Sequence, residues 1–68
     1  IIAPQEVLRF ASYIRAGWSQ QRIGDCEYAH IGGNDKRGAE ARRKKAGREL
    51  KKMIENYPRV FGANNAHS

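Results

Sequence analysis

Cys26 and His30 lie four residues apart in a segment whose composition suits a helix, so their side chains would be neighbours. A thiol beside an imidazole is the beginning of a metal site or of an activated nucleophile. The set is incomplete: zinc takes about four N or S ligands, and the only other His or Cys in the chain is His67, near its end. A small buried cysteine is more often core than catalyst. His30, close to a helix C-terminus, suits a capping cation or a surface residue. The run Gly32-Gly33-Asn34-Asp35 raises a second possibility, a loop that cradles phosphate. It lacks the G-x-x-x-x-G-K-[ST] pattern and no strand precedes it, so nucleotide hydrolysis is not expected. The plain reading is a helix-breaking turn; the functional one is that free N–H groups after it hold a backbone phosphate. No catalytic residue, cofactor or metal is expected, and the chain reads as non-enzymatic.

The strongest chemical signal is charge. The chain carries 13 Lys and Arg against 7 Asp and Glu, a formal net charge of +6. Nine of those bases fall between Lys36 and Lys52 with only Glu40 and Glu49 among them, while the rest of the chain has four bases and five acids. The whole surplus sits on one segment. Such a face can be merely solvated, with Glu40/Lys44, Lys45/Glu49 and Lys51/Glu55 pairing at i,i+4. Seven charges nevertheless stay uncompensated, and their mutual repulsion favours a polyanionic partner. An anionic membrane fits less well, because the basic half offers alanines where an interfacial helix needs Leu, Phe or Trp.

These charges must be carried by a small scaffold. Sixty-eight residues make one domain, and a chain of this size buries only about 60% of its unfolded surface. A thin core without disulfide or metal gains from oligomerisation. The single Cys26 forbids an intramolecular disulfide and fits a reducing compartment, cytoplasm or nucleoid. No apolar run approaches the roughly 20 residues of a membrane span, and no signal-peptide pattern is present. The chain opens at Ile1 instead of Met, so residues are expected to precede it.

Pro4, Gln5 and Glu6 suit a helix start, and Val7, Leu8, Ala11 and Ile14 form an apolar stripe widened by Phe10 and Tyr13, with Gly17 at C′. Helix 1 is predicted over residues 4–16. Ser19 as N-cap sets Trp18 and Ile23 at the spacing of a hydrophobic staple, which predicts helix 2 over 20–29 with Ile23, Cys26 and Ala29 or His30 inward. Asn34 or Asp35 then caps helix 3, predicted over 36–57 and stopped by Pro58. At 100° per residue, Ala39, Ala46, Leu50, Met53 and Tyr57 share a sector about 60° wide, flanked by Ile54. Arg37, Ala41, Lys44, Arg48 and Lys51 lie opposite, with Lys45 and Lys52 beside them. Because the first half is lined inward only by alanines, it is expected to project from the domain or meet a partner. Val60 and Phe61 should fold back on the core, and the tail at 63–68 should fray.

A short helix opened by "WSQQRIGD", then a turn, then a basic helix resembles the helix-turn-helix class of DNA-binding modules, with "SQ" entering helix 2 and the small Gly24 at its fifth position. The resemblance covers about residues 4–52 and is generic. Tyr28 stands where the turn glycine of that class falls, which implies a longer turn, through Ile31 to Asn34, and an extended third helix. The resemblance implies a three-helix all-α fold and DNA as partner. Arg37, Ala41 and Lys44 would face base edges, Arg37 on guanine O6 and N7. Lys36, Lys45, Arg48, Lys51 and Lys52 would meet phosphates, and Gln20, Gln21 and Arg22 would touch the backbone.

The expected protein is therefore a small basic DNA-binding regulator, of bacterial or bacteriophage type, with Leu50, Met53, Ile54 and Tyr57 as a homodimer contact. Two other classes stay open. One is an RNA-binding or ribosome-associated protein; the other is a small inhibitor docking on an acidic, nucleic-acid-binding surface of a partner protein.

Overall fold

The computed structural model describes residues 2–62. Among them are three α-helices and no strand: α1 (Gln5–Arg15), α2 (Gln20–Glu27) and α3 (Lys36–Asn56). The domain is all-α. Its helix ends follow from local chemistry. Pro4 stands at the N-cap of α1, and its carbonyl accepts the Leu8 N–H at 3.2 Å. At the other end Gly17 adopts φ +84°, where L side chains are strained, and the N–H groups of Gly17 and Trp18 return to the carbonyls of Ile14 and Tyr13. This is the Schellman arrangement, which satisfies carbonyls the helix leaves open. The Ser19 hydroxyl accepts the Arg22 N–H at 3.1 Å, and Asp35 accepts that of Gly38 at 2.9 Å, so α2 and α3 are both capped as expected.

Val7, Phe10, Ile23, Tyr28, Ala46, Leu50 and Met53 form the core, with Phe10 and Ile23 wholly covered. Trp18, Ile31, Tyr57, Val60 and Phe61 lie partly buried against it, so the segment after α3 does fold back. The Arg15 guanidinium holds it there through the Val60 carbonyl at 3.0 Å. Residues 63–68, for which fraying was expected, lie outside the described residues.

Three expectations need correction. Helix α2 stops at Glu27, two residues early, and Cys26, Ala29 and His30 are exposed. The buried edge of α2 runs through Ile23 and Gly24 and continues past its end to Tyr28, a core residue. Second, the first half of α3 does not project. It packs against α2 at backbone distance: a Cβ on Gly24 would lie 2.6 Å from the Arg42 carbonyl carbon. Gly38 is likewise buried against Gly33, with Ala39 only half-buried. Glycine-mediated contact replaces the bulky inward residues that this half lacks. Third, Leu50 and Met53 are buried in the chain's own core, so they are not the exposed apolar surface that the expected dimer contact assumed.

Tyr28 is the one described residue whose buried side-chain oxygen has no hydrogen-bond partner. Burial first, and then the carboxylates of Glu49, Glu6 and Glu27, push its hydroxyl up to about 12. An unpartnered buried hydroxyl is a net cost of about 1–3 kcal/mol. Tyr28→Phe keeps the ring, so its urea midpoint is expected to equal or exceed that of the wild type; a clear fall would mean that the hydroxyl has a partner.

Two carboxylates on α2 tie it to its neighbours. Arg9 of α1 grips Glu27 with Nε at 2.6 Å and Nη2 at 2.8 Å, and the Tyr13 hydroxyl donates to the same carboxylate at 2.5 Å. Arg42 of α3 donates to Asp25 at 2.8 Å. The hydrogen bonds from Arg9 hold Glu27 below its ordinary 4.5, and that from Arg42 holds Asp25 below its ordinary 3.8. The hydrogen bond that the Tyr13 hydroxyl donates to Glu27 raises the pKa of Tyr13 to about 12. Carboxylates with depressed folded-state values contribute stability that is complete above their unfolded values and disappears as pH falls through the folded ones. Stability is thus expected to decline below about pH 4.5, and Glu27→Gln to flatten that decline, as read from urea midpoints across a pH series.

Candidate nucleic-acid interface

Helix α3 is long because most of its exposed residues are Lys, Arg, Glu and Ala, all strong helix formers, and because Asp35 caps it. Its twist turns composition into geometry. Arg37, Ala41, Lys44, Arg48 and Lys51 recur at steps of four and three and are all exposed, so they form one stripe. At 1.5 Å per residue the stripe is about 21 Å long. Lys36 and Lys52 are exposed beside it, whereas Lys45 is half-buried, its ammonium 5.1 Å from the centre of the Tyr28 ring.

Internal pairing neutralises only part of this charge. Glu40 lies 3.7 Å from both Arg43 and Lys44, and Glu49 lies 3.6 Å from Lys52. Of the three i,i+4 pairs expected, Glu40/Lys44 forms. Lys45/Glu49 does not, since Lys45 leans over Tyr28 and Glu49 reaches Lys52; Lys51 and Glu55 also stay apart. Lys36, Arg37, Lys45, Arg48 and Lys51 have no ion pair among the described residues. Exposed pairs at such distances are worth only about 0–1 kcal/mol in any case, so the stripe keeps its positive potential.

Arg42 is the base that composition alone misassigns. It is half-buried, with Nε on Asp25 and Nη1 donating to the carbonyls of both Ile31 and Gly33 at 2.9 Å. Its charge serves the turn between α2 and α3. Gly32, at φ +71°, packs in that turn against Gly38. The "GGND" segment is therefore a tight connection, and the carboxylate of Asp35 already takes the Gly38 N–H at the start of α3.

The three α2 residues expected on a nucleic-acid backbone point to different places. Gln20 lies against Gly47, its Oε1 2.9 Å from where a Cβ would stand. Gln21 donates to Asp25 and to the Ala39 carbonyl at 3.0 and 2.9 Å. Arg22 stacks on Trp18, 4.0 Å from its ring centre, and Trp18 in turn stacks on Tyr13 at 4.4 Å. Only Gln21 joins the basic face, in a shallow notch with Lys36, Arg37, Ala39, Glu40 and Arg43. Arg43 is the exposed base that sequence reasoning left out, because its helical angle lies just beside the inward sector. The expected dimer residues also divide, with Ile54 exposed at 36% and Tyr57 half-buried.

No cluster of three or more His, Cys, Asp or Glu suited to a metal occurs among the described residues, and none of their helices is long and apolar enough to cross a membrane. Comparison with protein-family models, curated protein sequences and solved structures gave no match to this chain. The class that geometry defines is a small three-helix domain with one basic helix face.

Proposed function

We propose that the protein binds duplex DNA through the exposed face of α3, without enzymatic activity, in the manner of a small regulatory module. The observation that carries this reading is the stripe Arg37, Lys44, Arg48 and Lys51, three of whose four charges have no ion pair among the described residues, on a helix whose other side is fixed to the core. An α-helix fits the major groove of B-form DNA, about 12 Å wide. The deep, narrow groove of A-form RNA does not admit one. Single strands are disfavoured by the aromatic residues: Phe10 and Tyr28 are buried, and Tyr13, Trp18, Tyr57 and Phe61 are half-buried, so no Phe, Trp or Tyr ring stands fully exposed as a stacking platform. Arg37 and Lys44 are the residues for base edges, and Lys36, Arg43, Arg48 and Lys51 those for phosphates.

The test is a set of salt titrations with duplex DNA, duplex RNA and single strands. Duplex DNA is expected to bind tightest, with log K falling linearly in log salt. Tighter binding of RNA would move the reading to the RNA-binding class. No binding to any nucleic acid at low salt would move it to a protein partner with an acidic surface.

A further inference from the structure

A second surface adjoins the end of the basic stripe and shares Lys51 with it. Ile14, near the end of α1, and Ile54, on the last turns of α3, are 40% and 36% exposed and open onto one shallow groove. Leu50 and Gly47 also line it, with Gln20, Lys51 and Glu55. Lys51 and Glu55 stand one helical turn apart and could pair within the helix, but neither takes an ion-pair partner among the described residues.

We infer that this groove is a two-fold contact with a second copy of the chain, in which the α3 helices run antiparallel, Ile54 meets its counterpart, and Lys51 of each copy pairs with Glu55 of the other. Charge distribution selects this occupant. Residues 36–48 carry seven bases and one acid, whereas residues 49–56 carry two of each. Two copies with a net charge of +6 each can approach only where the local surface is neutral, and the groove adjoins that segment. A two-fold contact must be self-complementary, and an apolar centre flanked by one acid and one base a turn apart meets that condition in the antiparallel arrangement. It also keeps the two strongly basic halves of α3 at opposite ends of the pair. A docking partner with an acidic surface would prefer residues 36–48 and leave this groove uncovered.

The contact is small and is expected to be weak, so the measurement is sedimentation equilibrium of the chain without nucleic acid, over a concentration series reaching about 1 mM. Mass should rise from 7.7 kDa toward twice that value. Lys51→Glu and Glu55→Lys should each weaken association about tenfold or more, by setting like charges opposite each other. The double variant, with the charges exchanged, should restore it. Ile54→Glu should stay monomeric. All three positions are exposed, so helical content is expected to be unchanged in every variant. A wild-type chain that stays monomeric throughout would overturn the inference, as would single reversals without effect or a double variant that fails to recover. Because no nucleic acid is present, these outcomes are separate from those that test DNA binding.

Discussion

An alanine at position 24 is expected to cost the domain about 2 kcal/mol or more, a large part of the roughly 3–5 kcal/mol that a core this small supplies. The reason is a backbone contact. A Cβ there would stand 2.6 Å from the Arg42 carbonyl carbon and 3.1 Å from the Arg43 nitrogen. Neither belongs to a flexible side chain that can swing away, so α2 and α3 must separate. Separation strains the bonds of Arg42 to Asp25, Ile31 and Gly33, and that of Gln21 to Ala39. The gain in helix propensity from Gly to Ala, about 1 kcal/mol, offsets only part of this. Gly47→Ala is the matched control. There the obstructing atoms are the end of the Gln20 side chain, which can move, so the propensity gain should make this variant as stable as the wild type or more so. Urea unfolding of the two variants reads the difference directly, and equal midpoints would mean that α2 and α3 do not meet at Gly24.

The second large effect concerns binding. Replacing Lys36, Arg43 and Arg48, three of the residues assigned to phosphates, together with alanine should reduce the magnitude of the slope of log K against log salt by about 2.7 for duplex DNA, since each neutralised phosphate contributes about 0.9. If affinities converge near 1 M salt, where the electrostatic contribution vanishes, the loss at 50 mM is on the order of a thousandfold. All three residues are exposed, and alanine raises helix propensity at each, so weaker binding cannot be blamed on unfolding. Arg42→Ala should behave in the opposite way. It removes the bonds that hold the turn and lowers the thermal midpoint, while leaving the salt slope nearly unchanged in the fraction that stays folded. A slope that falls as much for Arg42→Ala as for Arg48→Ala would mean that the net charge of the chain matters and its arrangement does not.

The helix starts and the end of α1 were legible in the sequence because their signals are local, whereas the end of α2 at Glu27 was not. Gly17 at C′, the Ser19 cap and Asp35 before α3 each act through bonds within a few residues, and the structure holds them as read. The inward face of the second half of α3 was legible because Ala46, Leu50 and Met53 recur at helical spacing. What escaped was tertiary. Gly24 inside a helix signals that another helix can approach closely, as α3 does, but nothing in the sequence says that the partner is the first half of α3 or that Gly38 sits at a second backbone contact, so a segment without bulky inward residues looked like one without neighbours. Tyr28 departs from the turn pattern because it is a core residue, and Cys26, whose type suits the interior, is turned outward by the twist of a short helix. The basic face was visible as a count, but the division of labour within it depends on tertiary contacts: Arg42 in the turn, Lys45 over Tyr28, Arg43 in the notch beside Gln21.

The most direct test of the central claim is a chemical-shift titration of the isotopically labelled chain with a short DNA duplex. Perturbations are expected along Arg37, Ala41, Lys44, Arg48 and Lys51 and in the notch at Gln21 and Arg43, with the α1 residues Arg9 and Ser12 unmoved. Shifts centred on α1, or none at low salt, would contradict binding through α3.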